Sequence, residues 1–501
     1  MTAAERVATA METYEAVIGI EIHCQLRTAS KMFCACSNTY ADAAPNTHVC
    51  PVCLALPGSL PVINRRAVEF VLATGLAIEA AIPERTQWER KNYFYPDLPK
   101  GYQISQYAIP LAAMGRLAIE TSGGPFVVNI TRAHLEEDTA KLVHGDAARG
   151  SSAGGAAGRT SLVDFNRSGA PLMEIVTEPE IRTAEQARRY AEELQLLLRA
   201  IGVSDADMER GQMRVEANVS LRPRGTVAFG TRVEVKNMNS FRAVERAIAF
   251  EIERQAKALD GGEPLVMETR GWDDARQVTY RMRAKETSDD YRYFPDPDLP
   301  PLRVDESWIQ SVRAALPELP AARRARYEAL GLSGYDAAVL VADPGMTTAF
   351  EAISAAGDVP AKEVSNFVSG PHARAAKASG LNAVGTAGES RPADIAALLA
   401  AIVAGTVSRP VGRDLLDRHL VDGTPAAELL ASAGPGPISD DAALLEHIDA
   451  VIAANPKAVE DYRAGKPVVG FFVGQVMKAT AGAADAARVT QLVRERLDSG
   501  G

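Results

Sequence analysis

The sequence predicts an α+β domain followed by two all-α domains. Three features of the chain predict it. Up to residue 297, short β-branched runs are interspersed with helical stretches, without the regular strand–helix–strand series of a parallel sheet. The string FPDPDLPP at 294–301 blocks helix continuation and reads as a semi-rigid boundary. Beyond it the chain turns Ala-rich and helical, with a second boundary near residue 408. The expected divisions are therefore 1–297, 298–407 and 408–501, in keeping with a prior of about three domains for 501 residues.

The elements follow in order. Residues 17–26, 127–132, 213–221 and 232–236 read as strands. The clearest helix starts at Thr183, with Gln186 completing a capping box. Its apolar positions Ala187, Tyr190, Ala191, Leu194, Leu197 and Leu198 keep helical spacing, and Gly202 ends it. The Gly/Ser/Ala stretch at 150–158 reads as a flexible surface insertion. Residues 321–330, 361–368, 392–403, 440–454 and 484–497 read as helices, in a region broken by Pro410, Pro435 and Pro437. No repeat appears at solenoid periods.

Composition narrows the class. Hydrophobic residues at 47% and charged residues at 24% fit a soluble globular chain. Residues 1–15 lack an apolar signal region, and the longest apolar run, 393–403, is far short of a bilayer span. A cytoplasmic protein without a membrane partner is expected. A net charge of -10 argues against coating nucleic acid nonspecifically, because phosphate neutralisation dominates such binding.

Four of five cysteines, Cys34, Cys36, Cys50 and Cys53, form C-x-C-x13-C-x2-C. In a reducing compartment such clustering points to metal, and tetrahedral Zn²⁺ takes four thiolates. A closed site of that kind is structural. The other reading is four buried thiols packing as small hydrophobes. Cys24 falls outside the pattern and reads as a packed strand residue.

Acidic residues recur on predicted strands. Along 17–23, Ile18, Ile20 and Ile22 share one face, while Glu21 and His23 share the other, about 7 Å apart. Arg214, Glu216, Asn218 and Ser220 share a face of the next strand, and Arg232, Glu234 and Lys236 one of the strand after it. The turn-rich segment 223–230 between them would make a hairpin and align both polar rows. HLEED at 134–138 adds three acids beside a histidine. Acids sharing one surface repel unless they bind cations or are partly protonated. Oxygen-rich sites suit Mg²⁺ with substrate phosphates, and interspersed Lys and Arg suit phosphoryl transfer. A salt-bridged solvent face is the alternative. No phosphate-binding loop, dinucleotide fingerprint or G-x-S-x-G elbow is present.

Longer strings carry a family resemblance. DFNRSGAPLMEIVTEP (164–179), RKNYFYPD (90–97), GYQISQ (101–106), HLEED (134–138), SDDYRYFP (288–295) and GFFVGQVMK (470–478) resemble the B subunits of glutamine-dependent aminoacyl-tRNA amidotransferases, the GatCAB type. The resemblance spans about residues 14–498. It implies a cradle domain related to the glutamine synthetase catalytic core, then a helical domain and a tail domain. It implies ATP-dependent phosphorylation of the side-chain carboxylate of Glu-tRNA(Gln), Asp-tRNA(Asn) or both, and displacement of phosphate by ammonia. The ammonia would come from glutamine through an amidase A subunit, with a small C subunit bracing the pair. Carried over, Glu21, His23, Glu137 and Glu216 hold or approach Mg²⁺. The family usually has Asp where Glu216 stands. Glu234 and Lys236 border the site as ligand and phosphate contact. The four cysteines would bind structural zinc, and Lys466, Lys478, Arg488 and Arg494 would meet tRNA phosphates. A ligase acting on a free amino acid and a non-catalytic zinc-containing tRNA-binding scaffold are the competing readings.

Overall fold

A computed structural model describes residues 2–143, 161–284, 288–378, 391–433, 440–480 and 483–499. The stretch at 150–158 expected to be an insertion, and Pro435 and Pro437, lie outside the described residues. The chain divides into two compact units, Met1–Leu319 and Pro320–Gly501.

The first unit is built on an eight-stranded sheet. Its strands are β1 (Tyr14–Gln25), β2 (Ala112–Thr121), β3 (Gly124–Glu137), β4 (Pro171–Thr177), β5 (Met213–Pro223), β6 (Val233–Met238), β7 (Glu268–Asp273) and β8 (Val278–Ala284), in the order β8-β7-β6-β5-β1-β4-β3-β2. Every pairing is antiparallel except β6 with β7. The parallel pair needs a crossover, and the helix Phe241–Asp260 supplies it. This is the α+β mixture expected from the sequence.

Alternation along β1 separates two faces. Ile18, Ile20 and Ile22 are fully buried in one core with Ala187, Tyr190 and Leu194 of the helix Ala184–Ala200. Burying each isoleucine contributes about 2 kcal/mol. That helix carries the capping box of Thr183 and Gln186, and Gly202 follows it at φ +73. Cys24 is packed in the same core. The opposite face of β1 carries Glu21 and His23. The expected hairpin is present, with Val219 opposite Val233 and Asn218 opposite Glu234.

A small sheet of Phe294–Pro295, Glu89–Asn92 and Tyr102–Ser105 lies against the end of β3. The proline-rich run is thereby part of the first unit rather than a free spacer. Phe294 pairs with Arg90, and the Arg90 guanidinium binds Asp296 at 2.9 Å. The unit accordingly runs on to Leu319.

The described residues of the second unit form helices and no strands. Pro410 does not break a helix. It sits in the first turn of Arg409–Asp422, where a missing N–H leaves nothing unsatisfied. That helix packs closely on Pro392–Val403, since a Cβ on Gly412 would come 2.2 Å from Ile402 Cγ1. A separate core joins Leu444 and Ile448 to Phe472, Val476, Val489 and Val493.

Candidate active site

Strand pairing, not sequence proximity, assembles the polar face. Residues directly opposite in an antiparallel pair project to the same side. His23 of β1 lies opposite Glu174 of β4, which lies opposite His134 of β3, so two imidazoles flank one carboxylate in a row across three strands. Their Nε2 atoms lie 3.4 and 3.6 Å from Glu174 Oε2. Glu136, two residues along β3, adds a second carboxylate 3.8 Å from His23 Nε2. On the other flank Glu21 lies opposite Glu216. An irregularity in β5 between Val215 and Ala217 shifts its register against β6. Lys236 Nζ then stands 2.8 Å from Glu216 and 3.8 Å from Glu234.

Two three-ligand groups result. One ligand atom each from His23, Glu136 and Glu174 fits within 4.8 Å of the others, and the same holds for Glu21, Glu216 and Glu234. Both are oxygen-rich sets of the kind that suits Mg²⁺. Their carboxylates are oriented by donors: Asn218 to Glu21 at 2.8 Å, Thr269 to Glu234 at 2.6 Å and Ser105 to Glu136 at 3.1 Å.

The charges of the site act strongly on one another. Burial opposes the His23 imidazolium, but the hydrogen bond to Glu174 and the Glu174, Glu216 and Glu136 charges push it up to about 9. Burial pushes His134 down to about 3. Burial and the Glu174 charge raise Glu136, while the two imidazoles keep Glu174 well below the ordinary carboxylate range despite its own burial. Two buried carboxylates in contact are stabilised by a cation placed between them.

Two cavities of about 420 and 240 Å³ share His23, Lys91, Glu216, Lys236 and Tyr291 in their walls. Lys91 Nζ lies over the Tyr291 ring at 5.1 Å, and Tyr107 stacks on Tyr293 with centroids 4.6 Å apart. In the wall of the larger of these cavities Asp138 binds Arg214 of β5 at 3.2 Å and Gln25 of β1 at 2.9 Å.

Of the expected residues, the structure brings together Glu21, His23, Glu216, Glu234 and Lys236. It does not bring Glu137 to them. His134 and Glu136 share the polar face of β3, so the next residue points to the other side. There Glu137 forms an ion pair with Lys100 and accepts from the Ile104 N–H at 3.0 Å, in a cavity it shares with Cys34 and Cys53. Glu136 lies with His23 and Glu174 instead. Sequence reasoning also misses Glu174, His134 as a site residue, and Lys91. Parity from His134 would have selected Glu136, but no local signal marks Glu174.

The four cysteines converge as expected, with one sulfur each within 4.8 Å of the others. Cys50 and Cys53 Sγ are 3.8 Å apart. Hydrogen bonding from Cys34 leads the effects that hold the Cys53 thiol down to about 4, while burial pushes Cys36 up to about 11. A thiolate among thiols with a common centre fits a Cys₄ metal site. In the second unit Lys466 pairs with Asp461 at 2.7 Å and Arg488 with Asp441, whereas Lys478 and Arg494 are exposed.

Residues 16–310 match the model of the GatB/GatE catalytic domain, and residues 348–497 match that of the GatB domain. A relative from Moorella thermoacetica is 49% identical over 488 residues, covering 97% of this chain and 100% of its own. One from Roseiflexus sp. is 47% identical over 490 residues, covering 97% and 98%. One from Synechocystis sp. is 48% identical over 500 residues, covering 98% and 99%. Each of the three is named as the B subunit of an aspartyl/glutamyl-tRNA(Asn/Gln) amidotransferase.

Proposed function

The chain belongs to the GatB/GatE family, and from that premise we propose that it is the transamidating B subunit of a glutamine-dependent aspartyl/glutamyl-tRNA(Asn/Gln) amidotransferase. Its substrates are the side-chain carboxylates of Glu-tRNA(Gln), Asp-tRNA(Asn) or both. A carboxylate oxygen attacks the γ-phosphorus of ATP and ADP leaves; ammonia then attacks the acyl carbon and phosphate leaves, giving the amide. A carboxylate is a poor acyl donor, and the acyl phosphate supplies the leaving group that ammonia requires.

One observation supports this reading above the others: two three-ligand groups line two adjoining cavities whose walls share Lys91 and Lys236. Mg²⁺ bound there would neutralise phosphate charge and draw together the groups that react. His23, Glu136 and Glu174 would hold one ion, and Glu21, Glu216 and Glu234 a second. Lys236, whose charge Glu216 and Glu234 favour against burial, is placed to stabilise phosphoryl oxygens. The tyrosines along one wall narrow access of water to the acyl phosphate.

The remaining parts follow from the same reading. The first unit is a cradle related to the glutamine synthetase core, followed by helical and tail domains. The four cysteines hold structural zinc. An amidase A subunit delivers ammonia, a small C subunit braces the assembly in the cytoplasm, and Lys478 and Arg494 contact tRNA phosphates more readily than the ion-paired Lys466 and Arg488. The test is reconstitution with the amidase and the small bracing subunit, glutamine, ATP, Mg²⁺ and mischarged tRNA. ADP release and amide formation should both require the tRNA. Amidation of a free amino acid, or ATP turnover indifferent to tRNA, would overturn the proposal.

A further inference from the structure

Lys31 is fully buried, and lysine is almost never so unless paired. Its ammonium donates to the carbonyls of His48 at 2.8 Å and Phe165 at 3.3 Å. Among the described residues no carboxylate oxygen stands within 4.0 Å of it. A buried cation needs a counter-charge, because desolvating it alone is strongly unfavourable. The candidates nearby are the cysteines and Glu137, and the Glu137 carboxylate is already paired with Lys100. Lys31 lines a cavity with Cys34, Cys36 and Cys50, its backbone N–H donates to Cys36 O at 3.0 Å, and its charge helps hold the Cys53 thiol low. At Gly169, a Cβ would lie 3.6 Å from Cys53 Cβ, 3.8 Å from Lys31 Cδ and 3.9 Å from Glu137 Oε2. The lysine therefore sits where the cysteine loops meet the turn that precedes β4.

Four thiolates around a divalent ion leave a dianionic centre. Such a centre, half-buried against the protein, is stabilised by one ammonium without a carboxylate partner, and the ammonium by it. We propose that Lys31 is the built-in counter-cation of the cysteine centre. Through the carbonyls of His48 and Phe165 it also fastens that centre to the turn leading into β4, the strand that carries Glu174.

The inference rests on reading the four cysteines as a metal site, and zinc analysis of the purified wild-type chain separates the two. A chain that holds no zinc and takes up none removes the metal reading, and this inference with it. If zinc is present, its release to a chromophoric chelator is followed in wild type, Lys31→Met and Lys31→Arg. Loss of an outer partner of metal ligands typically weakens retention about ten- to a hundredfold. Lys31→Met, which keeps the length but not the charge, should release zinc faster by that factor, and Lys31→Arg should hold it longer than Lys31→Met. Release from Lys31→Met at the wild-type rate would reduce the residue to packing and overturn the proposal. Should neither variant fold, acylation of amines in the wild-type chain decides it. Lys31 should resist labelling in the zinc-loaded protein and become reactive once zinc is extracted; equal labelling in both states sinks the idea.

Discussion

Replacing Asp138 by Asn isolates the charge that ties three strands of the candidate site together. Asp138 is 4% exposed and is held by Arg214 and Gln25, with the Arg167 guanidinium 3.7 Å away. Burial disfavours its carboxylate, but Arg214 and Arg167 more than compensate and bring it from 3.8 down to about 2. At about 1.4 kcal/mol per pH unit, that gap is worth about 2.5 kcal/mol of stability. The folded state holds its proton less tightly than the unfolded chain. The contribution is thus fully present above pH 3.8, about half gone by pH 3, and lost as pH falls through 2. Asp138→Asn should cost about 2–3 kcal/mol at pH 7, since it also leaves the half-buried Arg214 without its ion-pair partner. All three tryptophans, Trp88, Trp272 and Trp308, lie in the first unit, so urea unfolding followed by tryptophan fluorescence reports that unit alone. The deficit should be wide at pH 7 and roughly halved at pH 3. A variant as stable as wild type at pH 7, or a deficit unchanged at pH 3, would refute the assignment of this charge.

Other substitutions test the site directly. Glu136→Gln should raise the Mg²⁺ concentration needed for half-maximal transamidation about tenfold or more, whereas Glu137→Gln, on the other face of β3, should leave that concentration unchanged; a reversed pattern would restore Glu137 to the metal site. Glu174→Gln, which removes the carboxylate between two imidazoles, should lower amide formation about a hundredfold while glutamine hydrolysis by the amidase partner persists, measured by glutamate release without tRNA. Thr269→Val should reduce kcat/KM about tenfold by freeing the Glu234 carboxylate from its donor, with Thr269→Ser restoring most of it. Gly169→Ala places a side chain at φ +81 and should lower urea stability of the first unit by about 1–2 kcal/mol.

How much of this is legible in the sequence depends on which interactions are local. Glu21 and His23 can be read because β1 alternates, and its isoleucines declare the buried face. The β5–β6 hairpin can be read because a turn-rich segment joins two alternating strands. Spacing alone carries the cysteine centre. Glu174 cannot be read that way: in PLMEIVT nearly every residue is buried, so alternation vanishes, and Pro171 at its start resembles a breaker. Its role depends on β4 lying between β1 and β3, an order set by pairings between distant segments. The sequence does not separate Glu137 from Glu136, because adjacent acids in HLEED are chemically alike and only the pleat tells them apart. Pro410 looks like a break, whereas its position in a first turn makes it a start.

The end of β3 divides its labour by parity. Glu136 looks into the chamber lined by His23, Lys91 and Lys236 and Glu137 into the one bordered by cysteines, from neighbouring peptide units. Point changes at either carboxylate injure one chamber. Deleting a single residue upstream in β3 would rotate the whole run, exchanging the occupants of both rooms and turning Leu135 outward from the core. Length in this strand is therefore a stricter inheritance than identity: drift can test each acid separately, but an indel strikes both compartments at once.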